Sequence, residues 1–250
     1  MATLGDRRHA WGERFEDWFD GDYALLYAHR DAGEARTAVA MALLAAPELA
    51  VGPVLDLGCG SGRHLEVLRH TNPQAFGMDL SRALLALAPT ELRPHLLRGD
   101  MRTLPVQAGT LTGACLWFTP FGYFDDDQNL ALLQGLARCL HPGGVLLLDY
   151  LNAEGAARTL VPEDTVERQG VRVLSRRTLE GNRLVKRMTL TRLATGEVRE
   201  AFESVRLYRP DELLALARTA GLRPRAVLGS YHGDPFTADS PRWIGIFERA

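Results

Sequence analysis

The chain has 250 residues, 46% of them hydrophobic and 24% charged, with a formal net charge of -2. These values are ordinary for a globular chain able to bury a core without staples, and they exclude a disordered chain or a polyanion binder as a whole. Cys59, Cys115 and Cys139 are odd in number and match no zinc spacing, which predicts free thiols, no metal and a reducing compartment. Residues 1–10 are polar without an apolar signal region, and no apolar run reaches membrane length. The expectation is a cytoplasmic protein with no membrane partner.

In chain order, the first segment is rich in aromatics: Trp11, Phe15, Trp18, Phe19, Tyr23 and Tyr27. Four of them share one helical face, which predicts an amphipathic helix. An Ala/Leu-rich helix follows over 37–46, closed by Pro47. Then short apolar strands alternate with helices. Strands are expected at 54–57, 75–78, 95–98, 114–118 and 145–149. Helices are expected at 61–70, from Ser81 as N-cap, and at 125–140 with an acidic first turn. His141-Pro-Gly-Gly144 reads as a breaker between the last helix and strand. Such alternation predicts a parallel sheet with helices on both faces. From about residue 165 the pattern changes to three β-rich stretches, 171–179, 184–193 and 198–208, separated by turn signals around Gly181 and Gly196. A helix over 210–220 and two strands, 225–228 and 243–248, close the chain.

The stretch Val54-Leu-Asp-Leu-Gly-Cys-Gly-Ser-Gly-Arg63 carries the chemistry. A strand ends in Asp56, and Gly58, Gly60 and Gly62 let the following turn pass close beneath a ligand. The dinucleotide fingerprint, G-x-G-x-x-G, places its third glycine one position later. An acid before the first glycine suits a ligand bearing an ammonium and repels a pyrophosphate. Asp79, in Gly77-Met-Asp-Leu80, ends the second strand, where a carboxylate accepts both hydroxyls of a ribose. Asp100 and Met101 follow the third strand, placed to take the amino edge and face of an adenine.

These three elements resemble the class I S-adenosylmethionine-dependent methyltransferases, over about residues 20–160 and again at the C-terminal strand pair. The resemblance implies an α/β fold: a Rossmann-like doubly wound seven-stranded sheet with its last strand antiparallel, plus an inserted antiparallel β meander. The transferase domain would comprise 1–164 and 210–250, with 1–50 as an N-terminal helical lid and 165–209 as the insert. S-adenosylmethionine would be the cofactor. Gly58, Gly60 and Gly62 would lie under its methionine part, Asp79 would take the ribose, and Asp100 with Met101 would flank the adenine. Tyr23, Asp56, Cys59, Leu80 and Phe118 complete the implied cofactor set, with Arg36 or its rival Arg30 on the carboxylate. The loop Trp117-Phe-Thr-Pro-Phe-Gly-Tyr-Phe124 resembles the aromatic post-strand loop of glycine and sugar-amine N-methyltransferases. Its Pro120 lacks a backbone donor. Tyr27, Tyr123 and Tyr150 are the candidate acceptor contacts, and His29, Tyr123, Tyr150 and His232 the candidate proton acceptors.

The leading reading is methyl transfer to N or O of a small molecule. An RNA methyltransferase is the rival, because the β-rich stretch holds Arg168, Arg172, Arg176, Arg177, Arg183, Lys186, Arg187, Arg192, Arg199, Arg206 and Arg209. Only Phe202 and Tyr208 offer base-stacking surfaces there, which is thin for a nucleic-acid platform. A non-catalytic cofactor-binding protein is the third reading. The resemblance implies that the insert forms a lid or the contact of a homodimer.

Overall fold

Residues 32–250 are described by the computed structural model. Tyr23, Tyr27, His29 and Arg30 lie outside the described residues. In chain order the elements are α1 (Ala32–Ala45), β1 (Val54–Leu57), α2 (Arg63–Thr71), β2 (Phe76–Asp79), α3 (Arg82–Ala86), β3 (Leu96–Arg98), β4 (Leu111–Leu116), α4 (Asp126–Cys139), β5 (Leu140–Leu151) and α5 (Ala153–Arg158). They continue as β6 (Glu163–Arg168), β7 (Val171–Glu180), β8 (Arg183–Arg192), β9 (Val198–Arg206), α6 (Pro210–Thr219), β10 (Leu222–Leu228) and β11 (Arg242–Arg249).

Seven strands form one sheet in the order β10-β11-β5-β4-β1-β2-β3. β11 runs antiparallel to both neighbours, and the other pairings are parallel. The period of two sorts the side chains. Leu55 and Leu57 of β1 join α4 and α6 on one face, while Val54 joins α1 and α2 on the other. The sheet is therefore covered on both faces, which is why its strands read as continuous apolar runs. The chain passes from β1 to β2 on one side and reaches β4 on the other. That reversal opens a crevice at the carboxyl ends of β1 and β4, where open α/β sheets bind ligands.

Several local expectations are corrected. α1 starts at Ala32, not 37, carried by its alanines. β4 stops at Leu116, because Phe118 and Thr119 take left-handed backbone angles, φ 62° and 67°. The breaker at 141–144 does not precede β5 but forms an irregularity inside it: Leu111 pairs with Leu140, and Gly113 with Val145. The second sheet has four antiparallel strands, β6-β7-β8-β9, not three. β6 has one aliphatic residue, Val166, so its sequence carries no alternation; it is held by pairing with β7. Tyr150 belongs to the core. It is fully buried between Phe121 and Tyr208, and its hydroxyl donates to the Arg206 carbonyl. Among the described residues no helix is long and apolar enough to cross a membrane.

Candidate active site

The turn between β1 and α2 crosses the mouth of the crevice. Gly58 and Cys59 both donate their amides to the Met78 carbonyl, at 2.8 and 3.2 Å, which binds the turn to the end of β2. Gly58 sits at φ 75°, and a Cβ there would stand 2.9 Å from Pro120 Cβ. Gly62 caps α2 at φ 83°, where a Cβ would come within 2.3 Å of Leu92. Gly58 therefore demands glycine on backbone angle and on space, and Gly62 on backbone angle, since the Leu92 methyl can move aside. Cys59 is buried beside them, and burial pushes its thiol well above the ordinary range, so it is not a nucleophile.

Three carboxylates mark successive strand ends. Asp56 is 1% exposed, and neither oxygen makes a hydrogen bond of ordinary geometry among the described residues. Burial, and secondly the charge of Asp79, push it up to about 8, against lesser pulls from Arg63 and the Leu65 amide. A buried carboxyl without partners is costly to ionise, and a cationic group placed beside it would reverse that. Asp79 accepts from the Gly60 amide and the Ser81 amide, each at 2.8 Å. Burial raises it, opposed by those amides. With two acceptor sites per oxygen, it retains capacity for ligand hydroxyls. Asp100 is gripped by the Arg102 side chain at 2.5–3.1 Å. Burial acts upward, but the hydrogen bonds and charge of Arg102 outweigh it and hold Asp100 below the usual range. Met101 follows it, half-buried.

Opposite the glycine turn lies the loop after β4. Its left-handed pair, Phe118 and Thr119, is unusual for an aromatic and a β-branched residue and costs roughly 1–2 kcal/mol each. Asp149, fully buried at the end of β5, holds it. Its Oδ2 accepts the Phe118 amide at 2.6 Å and the Tyr231 hydroxyl at 2.5 Å, while its backbone carbonyl accepts the Thr119 amide at 2.9 Å. Its Oδ1 accepts Arg242 Nε at 2.7 Å, and Arg242 Nη2 donates to Thr119 Oγ1 at 2.9 Å. Burial pushes Arg242 down, yet the Asp149 charge more than offsets this and keeps it above its ordinary value. Burial, then the same carboxylate, raises the Tyr231 hydroxyl. The Phe118 ring lies near two guanidiniums, Arg242 at 4.7 Å and Arg63 at 5.5 Å.

The structure thus brings Asp56, Gly58, Cys59, Gly60, Gly62, Asp79, Leu80, Asp100, Met101 and Phe118 to the carboxyl ends of consecutive strands. Arg36 is exposed on α1. Arg63, the first residue of α2, stands at the crevice instead, paired with Glu34 at 2.6 Å. Tyr123 is half-buried in the loop, His232 is exposed, and Tyr150 turns into the core. Asp149, Arg242 and Tyr231 were not anticipated. Asp149 carried a legible signal, since it ends an apolar strand as Asp56 and Asp79 do. Arg242 and Tyr231 carried none, because tertiary folding alone brings them to it. Among the described residues no group of His, Cys, Asp and Glu is arranged to hold a metal.

Residues 54–144 match the model of the family described as "Methyltransferase domain". The chain is 29% identical over 215 residues to the cypemycin N-terminal methyltransferase of a Streptomyces species, covering 78% of this chain and 82% of that one. It is 30% identical over 202 residues to the trans-aconitate 2-methyltransferase of Rhizobium meliloti, covering 76% of each. The structure of an S-adenosylmethionine-bound amino pentose methyltransferase from Micromonospora echinaspora superposes with a TM-score of 0.66 at 26% identity, covering 91% of this chain and 96% of that one. Sheet order, glycine turn and relatives agree: the chain belongs to the class I S-adenosylmethionine-dependent methyltransferases.

Proposed function

We propose that the enzyme methylates a nitrogen or oxygen of a small molecule in the cytoplasm, and that an amine is the favoured acceptor. The observation that carries the cofactor half of this reading is Asp56, a buried carboxyl with no hydrogen-bond partner of ordinary geometry among the described residues, beneath a turn whose three glycines all take positive φ. An α-ammonium would be its missing partner. Gly58, Gly60 and Gly62 would underlie the methionine part, Asp79 would receive the ribose and Asp100 with Met101 the adenine. Arg63 joins Arg36 as a candidate for the carboxylate, and Tyr23 is retained as a further contact. Bound there, S-adenosylmethionine supplies an electrophilic methyl group.

The chain's own residues then have two tasks. They exclude water and hold the acceptor in line, which supplies much of the acceleration in a displacement of this kind. The loop carrying Phe118 and Tyr123 would form the acceptor wall, with Tyr27 as a further contact. A base is required only for an acceptor that arrives protonated. Two relatives support the amine: one is named as an N-terminal methyltransferase and one for an amino pentose. The third is named for trans-aconitate, which keeps oxygen in play. The reading treats 1–164 with 210–250 as the transferase domain and 165–209 as its insert. The test is incubation with radiolabelled S-adenosylmethionine and a panel of amino sugars, amino-terminal peptides, tricarboxylic acids and RNA. Label is expected in a small-molecule amine. Label only in RNA would overturn the reading.

A further inference from the structure

Arg183 opens β8 in the second sheet, yet its guanidinium reaches out of that sheet into the loop after β4. It donates to three consecutive backbone carbonyls, Gly122 at 3.1 Å, Tyr123 at 2.9 Å and Phe124 at 3.0 Å. The Nη2 that serves Gly122 and Tyr123 also faces the Ser204 carbonyl on β9 at 2.9 Å, sharing its two hydrogens among three acceptors, and Nε donates to the Ser204 hydroxyl at 2.7 Å. No acidic side chain takes part in these bonds. A planar guanidinium, with donors on three nitrogens, can span such a divergent set of acceptors, which a lysine ammonium at one point cannot. Burial pushes this guanidinium below its ordinary value, as expected of a cation held mainly by peptide dipoles.

The same loop is gripped elsewhere. The Arg206 amide donates to Gly122 at 2.8 Å, and Phe121 is fully buried against Tyr150 and Tyr208. At its start the Asp149–Arg242 pair fixes Phe118 and Thr119. Between the two grips, Pro120 rests against the glycine turn. The loop is thus ordered by folding itself, and no ligand need pay for it.

We propose that Arg183 is a positioning residue for methyl transfer: through the Gly122–Phe124 carbonyls it holds the loop that presents Phe118 and Tyr123 to the acceptor, and the second sheet serves as a fixed brace. This rests on the reading of that loop as the acceptor wall. It differs from a lid, because a lid must part from the loop in every cycle.

The experiment compares Arg183→Met, Arg183→Lys and Arg183→Ala with wild type. Arg172→Met, an exposed strand residue paired with Glu167, is the control. Hydrogen exchange over residues 117–126, S-adenosylhomocysteine affinity by calorimetry, and kcat and KM with the acceptor from the panel are measured. Exchange in the loop is expected to rise at least about tenfold in Arg183→Met while β1 and the glycine turn keep wild-type protection. Affinity should stay within about twofold, and kcat should fall about 30- to 100-fold, as a displaced reacting group predicts. Low guanidinium concentrations should restore part of the turnover of Arg183→Ala, and Arg183→Lys should fall between. Arg183→Lys is read in the same way if the other variants do not fold. Exchange rising throughout the molecule would reduce Arg183 to general bracing and overturn the proposal, as would an unchanged loop. Should the panel yield no acceptor, loop-confined exchange still decides the positioning role, and the failure counts against the functional reading alone.

Discussion

Asp56 binds its proton more tightly in the folded chain than a free aspartate, about 8 against an ordinary carboxyl near 3.8. The stability this group contributes is therefore complete below the ordinary value and declines as pH rises through about 8. An ammonium ligand binds the ionised form, so uptake of S-adenosylhomocysteine should release a proton below pH 8. Its affinity should climb with pH, by at most about tenfold per unit. Calorimetry in buffers of different ionisation enthalpy measures this, and Asp56→Asn should flatten the profile; a flat profile in the wild type would remove Asp56 from the site. Asp79→Ala should weaken the same ligand by roughly 1.5–3 kcal/mol, the worth of hydrogen bonds to a charged group. A thermal melt separates this from loss of the Gly60 and Ser81 bonds. Wild-type affinity in that variant would refute the ribose assignment. Both acids were legible in the sequence because strand ends in this architecture face the crevice. Arg36 lies exposed on α1, a placement its segment did not signal, whereas Arg63 follows directly on the glycine turn.

At the scale of elements, the sheet was legible where apolar runs alternate with helices, and obscure where pairing overrides local pattern. β1 falls on its expected residues, 54–57. β6 is invisible in the sequence because strand pairing supplies what its residues lack, and residues 141–144 do not break the chain because a β-bulge absorbs glycine and proline without ending a strand. The loop after β4 was expected as strand as far as Phe118. Its left-handed turn is imposed by Asp149, 30 residues after Thr119 in the sequence, and no local signal could announce it. Asp149 and Arg242 are the pair on which this loop depends. Breaking a buried pair by removing one partner typically costs about 3–5 kcal/mol. Arg242→Met, which leaves Asp149 buried with only the Tyr231 hydroxyl and the Phe118 amide on its carboxylate, should lower the unfolding free energy by an amount in that range. Urea titration checks it. A loss below about 1 kcal/mol, the usual worth of an exposed pair, would show that the pair does not anchor the loop.

The whole molecule is close to electrically neutral, and its insert, with eleven basic and five acidic residues over 165–209, is basic by count but has many of its arginines paired with carboxylates. Arg172 pairs with Glu167, Arg176 with Glu163, Arg177 with Asp164, Arg187 with Glu180 and Arg192 with Glu197, at 2.5–3.4 Å. Several of these acids lie on β6 or in the turns, where a count of arginines along β7 to β9 overlooks them. Cross-strand register, not composition, sets the field that a ligand meets. An RNA backbone gains affinity by releasing counterions when basic side chains neutralise its phosphates, and each such contact steepens the dependence on salt. Arginines already neutralised by carboxylates must first give up those partners, so little counterion release remains. Arg183 and Arg206 are occupied by backbone carbonyls, Asp126 and Glu212. A fluorescein-labelled single-stranded RNA of about 20 nucleotides should therefore bind no more tightly than about 0.1 mM at physiological salt, the weak end of non-specific association. Its affinity should change by less than about tenfold between 50 and 200 mM salt, in place of the loss of 10³ or more expected for six or more phosphate contacts. Fluorescence anisotropy at both salt concentrations makes the comparison. Micromolar binding with a steep salt slope would mean that the ion pairs open for a polyanion, and the acceptor would then have to be sought among RNAs.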